Sequence, residues 1–564
     1  MAGPKVKSFF WLGVSFAASA VLLTICQAPY DCSWAAWIAW VPFMLACRPQ
    51  TPSKILLPAV YLVWLIYWLA NLYWLIGVTV PGYAAFCLVQ ACYGPVLAIA
   101  VRFVRKRDWP LTLLAPLIFV GAEAWQGVLF TGFGWYFLAH SQYRNLAMIQ
   151  ICELFGQLGV SVLIALVNGL MADLLLDIGQ RRLKRWSNLF KPAAVGLLIG
   201  LSWLYGKTRL DESGRFLSDG PLLGVVQTNV PSHVKEISEN GPAILESLFE
   251  LSTPCFEAGA WMTIWPETMV LATLNPDYLF YLPPDSIAGD FDRQIRRFAK
   301  DRGYLLVGAH SARVIFSGGE PVVADQYNSA FLYEPTGQQS SIRYDKIHLV
   351  PFGEYIPFRD TLPWLYEMIR RLSPYDYDYN LTPGRRYTRF HIEKEGKRYG
   401  FGVLICYEDT DPTLCRKMVL DKKEGTKADF LVNISNDGWY VRYKDGKIRP
   451  TVELAQRMAI TVFRCVENRV SVVRSVNTGI SCVIDSLGCI HDNYLEGSLP
   501  RPAIERKGPD AEGWFVDSIV LDSRVTFFTR YGRWLDVLLG ISLVVILAFA
   551  GIEKLLGKKK RNPL

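Results

Sequence analysis

The stretch that decides the fold of the second half of this chain is Phe401-Gly-Val-Leu-Ile-Cys-Tyr-Glu-Asp409. It is apolar as far as Ile405, and then Cys406 comes directly before polar side chains. A short apolar run with such a boundary is typical of a buried strand. A cysteine there is most often an ordinary core residue. At the end of a strand, however, it is also well placed to act as a nucleophile.

Short apolar runs of the same kind recur from residue 221 to residue 523. They are Leu222–Gln227, Trp261–Trp265, Tyr304–Gly308, Ser329–Tyr333, Gly400–Ile405, Phe430–Ile434, Val470–Arg474 and Ile480–Asp485. Helical patterns lie between some of them, at Asp290–Arg302 and Val452–Glu467. Alternating strands and helices predict an α/β domain. At about 300 residues this domain is long enough to bury a core of its own.

Nearly everything before residue 210 is apolar, and the whole chain of 564 residues is 51% hydrophobic. Most of its apolar runs approach the ~20 residues that cross a bilayer. The runs are Phe9–Cys26, Trp34–Cys47, Ile55–Ile76, Tyr83–Val104, Leu111–Leu129, Ile149–Leu176, Pro192–Tyr205 and Leu535–Ala550. They predict a membrane bundle of about eight helical spans, of which the short second run is the weakest.

Basic residues indicate the orientation of these spans, because Lys and Arg concentrate on the cytoplasmic side. Basic groups flank the first span and follow the second, fourth, sixth and last, whereas the intervening short loops carry only Arg144. Both termini are therefore predicted to be cytoplasmic, and the α/β domain periplasmic, in a bacterial inner membrane. The predicted domains are an N-terminal bundle at 1–212, a catalytic domain at 221–523, and a helix with a basic tail at 524–564.

The composition also argues against several classes of function. The net charge of +8 is modest, and the chain has no basic and aromatic recognition module, so nucleic-acid binding is not expected. The 12 cysteines include no C-x-x-C pair, which argues against a zinc ribbon or a redox motif. We expect neither a metal nor a cofactor, and the cysteine spacing does not determine whether any disulfide forms.

Two further polar residues follow predicted strands and are suited to work with Cys406. Glu267 comes after an Ile-Trp-Pro run, and Lys346 comes after Tyr-Asp. Strand ends can converge at one edge of a sheet. Glu267 would then take the thiol proton, Lys346 would stabilise an oxyanion, and Cys406 would form a thioester. His348 is a weaker candidate base, because no Asn or Asp signature supports a papain-like arrangement.

The order of these motifs resembles that of the nitrilase (carbon–nitrogen hydrolase) superfamily. The carrying motifs are Trp265-Pro-Glu267, Tyr344-Asp-Lys346 and Ile405-Cys-Tyr-Glu408, with Val225–Asn229, His348–Glu354 and Asn433–Trp439 beside them. With an N-terminal bundle, a final span, and the Gly132-Phe-Gly-Trp135 and Ser141-Gln142 stretches, the chain resembles the bacterial apolipoprotein N-acyltransferase family. The resemblance implies an αββα sandwich joined to the bundle.

The same resemblance implies a ping-pong acyl transfer that completes lipoprotein maturation. A membrane phospholipid would give its acyl chain to Cys406, and the α-amine of the N-terminal diacylglyceryl-cysteine of an apolipoprotein would receive it. The resemblance also implies supporting roles for three residues. Glu354 would orient the triad, the backbone N–H of Tyr407 would add to the oxyanion hole, and Glu408 follows the nucleophile. The alternative for Glu354 is a loop carboxylate that is simply paired with Lys346.

Aromatic residues near the predicted site favour a membrane interface. They lie in Arg359–Phe390 and around Phe280, and we predict mobile flaps there, with ordinary loop packing as the alternative. The aromatic residues concerned are Trp364, Tyr366, Tyr375, Tyr377, Tyr379, Phe280 and Tyr281. The loop Ser232–Glu236 departs from the family, because it lacks the tryptophan that the family tends to carry there.

Other readings of the sequence stay open. Glu123 and Glu153 lie in or beside apolar runs, where carboxylates are either functional or buried with hydrogen-bond partners. A membrane-tethered amidase or nitrilase would use the same triad with water as the acceptor. A membrane scaffold or transporter with an inactive outside domain, and an acyltransferase acting on polyprenyl-linked sugars, are further alternatives.

Overall fold

The chain divides into two units, each with its own internal contacts. The computed structural model describes residues 4–182, 187–356, 359, 361–371 and 380–559. One unit comprises Met1–Ile76, Val80–Glu212 and Tyr531–Leu564, and the other comprises Gly77–Thr79 and Ser213–Arg530.

The first unit is helical. Its N-terminal part contains eleven helices within the described residues. They are α1 (Pro4–Ile25), α2 (Val41–Ala46), α3 (Ser53–Asn71), α4 (Val80–Ala91), α5 (Tyr93–Lys106), α6 (Leu111–Ala115), α7 (Gly121–Gln126), α8 (Leu146–Ile149), α9 (Cys152–Phe155), α10 (Gln157–Gly179) and α11 (Ser187–Asp211). The predicted run Leu111–Leu129 is divided between α6 and α7 by a π-helical turn at Pro116–Val120. Pro116 has no N–H to continue the α-helical hydrogen bonds.

The two carboxylates in the apolar region have partners within this unit. Glu123 accepts a hydrogen bond from the backbone N–H of Leu138 at 2.7 Å. Glu153 forms an ion pair with Arg209 at 2.6 Å and also accepts a hydrogen bond from the Tyr205 hydroxyl. Each carboxyl group therefore has at least one specific donor, as buried acidic side chains in apolar surroundings require.

The second unit contains an α/β sandwich. Its strands are β1 (Leu217–Gln227), β2 (Met262–Ile264), β3 (Tyr304–Ser317), β4 (Glu320–Tyr333), β5 (Gln339–Asp345), β6 (Arg389–Lys394), β7 (Lys397–Ile405), β8 (Phe430–Ser435), β9 (Arg442–Lys444), β10 (Lys447–Arg449), β11 (Ser471–Val476), β12 (Cys482–Ile484), β13 (Glu496–Gly497) and β14 (Gly513–Asp522). One sheet has the order β13-β14-β1-β2-β3-β4-β5, the second has the order β12-β11-β8-β7-β6, and β9 pairs with β10.

The helices of this unit flank the two sheets. They are α12 (Ser232–Lys235), α13 (Gly241–Glu257), α14 (Pro276–Leu279), α15 (Ile287–Ala299), α16 (Pro363–Arg370), α17 (Pro412–Val419) and α18 (Val452–Asn468). A buried apolar cluster that includes Leu248, Trp265, Ile295 and Val307 joins α13 and α15 to the first sheet. The sheets face each other, because the Ser475 hydroxyl on β11 donates to carbonyls of β1 and β2.

All eight predicted strands are present, and so are both predicted helices. Six strands were not predicted, namely β5, β6, β9, β10, β13 and β14. The β3–β4 hairpin also extends well beyond the predicted Tyr304–Gly308 and Ser329–Tyr333. Phe316 and Val322 in its outer half are both exposed. A strand pair with both faces in solvent lacks the alternation of apolar and polar residues that marks a half-buried strand.

Two more helices, α19 (Phe527–Tyr531) and α20 (Trp534–Lys559), end the described chain. Among the described residues, four helices are long and apolar enough to cross a membrane. They are Ser53–Asn71, Val80–Lys106, Gln157–Gly179 and Trp534–Leu556. Shorter apolar helices cover Phe10–Ile25, Ser33–Ala46, Leu111–Gln126 and Leu146–Phe155. The multi-helical character of the first unit is thus confirmed, whereas the predicted count of eight spans is not.

Candidate active site

Cys406 lies at a sharp turn immediately after β7. Its φ is +52°, in the left-handed region that non-glycine residues seldom adopt. A short 3₁₀ turn, Cys406–Thr410, begins at the same residue. Such backbone outliers cluster at active sites, where the surrounding structure holds them in place. The thiol side chain is almost fully enclosed, with 4% of the residue exposed.

Glu267 follows β2 and is buried, and three donors hold its carboxylate. Oε1 accepts from Asn328 Nδ2 at 2.7 Å and from Lys346 Nζ at 3.2 Å. Oε2 accepts from the backbone N–H of Asn436 at 2.8 Å. Asn436 directly follows β8 in the second sheet. The carboxylate is therefore held by groups from both sheets.

Lys346 follows β5 and lies between two carboxylates. Besides Glu267, its ammonium donates to Glu354 Oε1 at 2.8 Å. Asn328 donates to the same Glu354 oxygen at 3.1 Å, and the backbone N–H of Val350 donates to the other oxygen at 2.8 Å. Glu354 is thus both paired with Lys346, as the simpler alternative expected, and positioned to orient it.

These contacts set the charges of the two groups. Burial by itself would raise the pKa of Glu267, but the ammonium groups of Lys346 and Lys235 bring that pKa below its ordinary value. Burial would likewise lower the pKa of Lys346, but the carboxylates of Glu267 and Glu354 raise it. At neutral pH, Glu267 is a carboxylate and Lys346 an ammonium.

The sulfur of Cys406 is a neutral thiol in the same state. Burial raises the pKa of Cys406 to about 12, and the negative charge of Glu267 adds to that increase. The positive charges of Arg457 and Lys346 act in the opposite direction. A neutral thiol close to an ionised carboxylate is the starting arrangement that a general base requires.

Glu408 joins the segment after β5 to the end of β7. Its Oε1 accepts from the backbone N–H groups of Ile347 at 2.7 Å and His348 at 3.0 Å. Its Oε2 accepts from the N–H of Ile405 at 2.7 Å, and the Tyr344 hydroxyl donates to both oxygens at 2.8 Å. Glu408 therefore ties the neighbours of Lys346 to the neighbour of Cys406.

Two other predicted residues lie beside this junction. Tyr407 is buried, and its ring meets the His348 ring edge to face, with centroids 5.0 Å apart. His348 Nδ1 is 3.2 Å from a carboxylate oxygen of Asp411. The His348 ring thus contacts Asp411 and Tyr407.

Sequence reasoning missed Asn328, Asn436 and Lys235. Lys235 Nζ donates to the Glu267 carbonyl oxygen at 3.2 Å and to Thr268 Oγ1 at 2.6 Å. Burial lowers the pKa of Lys235 to about 8. Its only sequence signal was its place in the loop that lacks the family tryptophan. Asn328 lies in the middle of β4, where no motif marks it.

Arg457, on α18, was missed as well. Its Nη1 lies 3.7 Å from Cys406 Sγ and 2.7 Å from Asp437 Oδ1. Its Nε lies 3.2 Å from Asp409 Oδ1. The signal was a pair of arginines, Arg457 and Arg464, within the strongly patterned helix Val452–Glu467, because a buried arginine needs acidic partners.

The predicted flap residues divide into exposed and buried ones. Trp364 is 68% exposed and Phe280 is 83% exposed. Tyr366 is instead buried, and its hydroxyl accepts from Asn380 Nδ2 at 3.0 Å. Tyr375, Tyr377 and Tyr379 lie outside the described residues. A lipid-facing role thus suits Trp364 and Phe280 better than Tyr366.

The three side chains Glu267, Lys346 and Cys406 define the chemistry that this arrangement supports. Among the residues that the structure describes, no group of three His, Cys, Asp or Glu side chains is arranged to hold a metal ion. A carboxylate base, an ammonium group and a thiol together support covalent acyl transfer through a thioester.

The chain is similar to known proteins over most of its length. Residues 19–170 match the model of the apolipoprotein N-acyltransferase N-terminal domain, and residues 222–493 match that of carbon-nitrogen hydrolases. The apolipoprotein N-acyltransferase of Geobacter metallireducens is 30% identical over 552 residues, covering 94% of each chain. That of Chlorobaculum tepidum is 26% identical, covering 91% of each chain. A solved amidase structure from Nesterenkonia is 16% identical with a TM-score of 0.34, covering 56% of this chain and 94% of the amidase.

Proposed function

The chain belongs to the apolipoprotein N-acyltransferase family, and on that premise we propose how its residues carry out the reaction. The protein is an acyltransferase with a nitrilase-like α/β domain, and its function is N-acyl transfer to apolipoproteins. Glu267, Lys346 and Cys406 are the proposed catalytic triad. Glu354, Tyr407 and Glu408 are the proposed supporting residues.

In the first half-reaction, Cys406 Sγ attacks the carbonyl carbon of a phospholipid ester. The thiol proton passes to Glu267, and Lys346 stabilises the oxyanion of the tetrahedral intermediate. The backbone N–H that follows the nucleophile, that of Tyr407, is the proposed second oxyanion donor. The C–O bond then breaks, Glu267 returns the proton to the alkoxide, and a lysophospholipid leaves a thioester on Cys406.

In the second half-reaction, the α-amine of a diacylglyceryl-cysteine attacks the thioester. Glu267 takes a proton from the amine, Lys346 again stabilises the oxyanion, and the C–S bond breaks. The sulfur recovers the proton, and the product is an amide. One carboxylate thus acts alternately as base and acid, which its exchangeable proton allows.

The observation that carries this mechanism is the buried ion pair of Lys346 and Glu267, 3.2 Å apart, beside the enclosed Cys406, and the charges of the site agree with it. Glu267 is ionised because two ammonium groups outweigh the effect of burial. Cys406 stays protonated because it is almost fully enclosed. The thiol therefore needs Glu267 as a base before it can attack.

The setting of the reaction follows from the family and the sequence pattern. We propose a bacterial inner-membrane protein with both termini cytoplasmic and about eight spans, the shorter apolar helices included. Its domains are proposed at 1–212, 221–523 and 524–564, with the second in the periplasm. Exposed Trp364 and Phe280 are the proposed contacts to lipid.

The distinguishing test is mass spectrometry of the purified protein with phospholipid, with and without a diacylglyceryl peptide. We expect an acyl group on Cys406 that disappears when the peptide is added, with amide product appearing in equal amount. Cys406→Ala should abolish both signals. Cys415→Ala is the matched control, because Cys415 is a buried cysteine nine positions away.

The triad variants separate the proposed roles. We expect Glu267→Gln and Lys346→Ala to slow thioester formation by about a hundredfold or more. Acyl transfer that survives in Cys406→Ala would overturn the mechanism. Release of free fatty acid at the same rate with and without the peptide would favour the amidase-like alternative, in which water is the acceptor.

A further inference from the structure

One cation outside the triad touches the reacting atom. The guanidinium of Arg457 approaches Cys406 Sγ to 3.7 Å, which is within hydrogen-bond range for a sulfur acceptor. Both residues are buried, and the Arg457 side chain is 1% exposed. A contact of this kind is stronger in a dry interior than in water.

Two carboxylates fix the position of this guanidinium. Asp437, which follows β8, accepts from Nη1 at 2.7 Å. Asp409, three residues after Cys406, accepts from Nε at 3.2 Å. Arginine presents its donors in a rigid plane, so these two contacts also determine the direction of the second N–H on Nη1, which faces the sulfur. The donor near the sulfur is therefore held in place before any substrate arrives.

The surrounding charges leave this donor available to the sulfur. Arg474 also pairs with Asp409 and lies 3.7 Å from Asp437, so two guanidinium groups share two carboxylates. Glu453, one turn before Arg457, places its Oε1 4.0 Å from the same Nη1, but burial and the charge of Asp437 raise the pKa of Glu453 well above its ordinary range. A neutral Glu453 adds no further negative charge to this network.

We propose that Arg457 is a further catalytic residue, whose Nη1–H donates to Cys406 Sγ and stabilises negative charge on the sulfur in both half-reactions. In the first, charge develops as the S–H bond breaks and the proton moves to Glu267. In the second, the C–S bond breaks and the sulfur leaves with the bonding electrons before it regains the proton. This inference rests on the proposed role of Cys406 as the nucleophile.

The proposal divides the cations of the site by the atom that each serves. Lys346 stabilises negative charge on the substrate oxygen, and Arg457 stabilises negative charge on the sulfur of Cys406. Four other groups interact electrostatically with the Cys406 side chain: Glu267, Lys235, Tyr440 and Asp437. Alkylation by iodoacetamide forms an S–C bond without an oxyanion, so it reports on the sulfur alone.

The test measures the alkylation rate of Cys406 by iodoacetamide in the full-length protein, followed on the Cys406 peptide by mass spectrometry. We expect Arg457→Gln to lower the rate by about ten- to a hundredfold at neutral pH, the effect of losing a hydrogen bond to a charged group. Arg457→Lys keeps the charge and should lie between that variant and the wild type. Arg464→Gln is the matched control and should alkylate at the wild-type rate, because Arg464 is buried on the same helix but pairs with Glu467.

Arg457→Gln alone leaves the buried Asp437 carboxylate without this arginine, which could disturb the fold. A second variant removes that complication. The double variant Asp437→Asn with Arg457→Gln removes one charge of each sign, and it should show the same loss. Alkylation of Cys406 at the wild-type rate in the double variant, or equally in Arg457→Gln and Arg464→Gln, would overturn the proposal. Acyl transfer by Cys406→Ala would instead refute the proposed function, so the two failures are distinguishable.

Discussion

Replacing Glu408 by glutamine tests whether one buried carboxylate aligns Lys346 with Cys406. Glutamine keeps the shape but replaces one of the two acceptor oxygens by a donor. If its oxygen takes the place of Oε1, the N–H groups of Ile347 and His348 keep their acceptor. The new NH₂ group then faces the N–H of Ile405, which loses its acceptor.

The magnitude follows from the number of donors left without a partner. One orphaned buried N–H costs about 1–3 kcal/mol in the free energy of unfolding. Glu408→Ala orphans three backbone N–H groups and should cost roughly three times as much. We expect the thermal midpoint of Glu408→Gln to fall by a few degrees. Thioester formation should slow by about tenfold or more, because small misplacements of catalytic groups are costly.

The penalty should also depend on pH. Burial raises the pKa of Glu408 to about 7, so the folded protein keeps this proton over a range in which the unfolded chain has lost it. Stability from this group is therefore fully present below about pH 4.5, the ordinary pKa of a glutamate, and declines as the pH rises from there toward 7. The advantage of the wild type over Glu408→Gln should shrink over the same interval.

The assay is thermal unfolding in detergent, together with the rate of thioester formation on Cys406. Glu424→Gln, at an exposed site, is the control and should match the wild type in both. Two results would refute the reasoning. One is a Glu408→Gln protein that is as stable and as fast as the wild type, and the other is a Glu408→Ala protein no worse than Glu408→Gln.

Three further changes test the surroundings of Glu267. Lys235→Met removes a positive charge that lowers the pKa of Glu267, so the pKa of Glu267 should rise. Because thioester formation needs ionised Glu267, its rate should begin to fall at a higher pH on acidification than in the wild type, and an unshifted pH profile would contradict this role. Asn328→Asp replaces a donor to Glu267 by another carboxylate and should lower the same rate by about a hundredfold, the scale of losing a general base; a wild-type rate would show that this contact is dispensable. Gly308→Ala places a Cβ 2.5 Å from the carbonyl oxygen of Pro266, next to Glu267, and should slow thioester formation by about tenfold or more. Gly214→Ala, with open space around its Cβ, should not slow it, and equal rates in the two variants would contradict the steric argument.

The sequence predicted the most buried strands, because buried strands leave a local signal, but it missed β5, β6, β9, β10, β13 and β14. Gly400–Ile405 and Phe430–Ile434 are short apolar runs bounded by polar residues, and both are buried strands in the structure. The outer half of the β3–β4 hairpin was missed, because solvent on both faces removes that signal. The number of membrane spans was harder to predict, because an apolar run does not show where its helix ends: the run Leu111–Leu129 corresponds to a helix of only Leu111–Gln126.

The site was predictable only where a motif marks a residue. Glu267, Lys346 and Cys406 each stand at the end of a strand in a familiar order. Asn328 and Arg457 instead act through contacts between distant parts of the chain, 61 and 51 positions from their partners. No local pattern encodes such a contact, because it exists only once the two sheets and their flanking helices have packed.

The pairing of β1 with β14 has a consequence for how the protein is made. Leu217 pairs with Asp522, so the first strand of the domain cannot form this pairing until a strand about 300 residues later in the chain has been made. Pairings of such long range are slow to form and leave an open strand edge in the meantime. During synthesis, the β1 edge stays unpaired until the ribosome has almost reached α20. Chaperones or the insertion machinery are therefore expected to engage this segment longest.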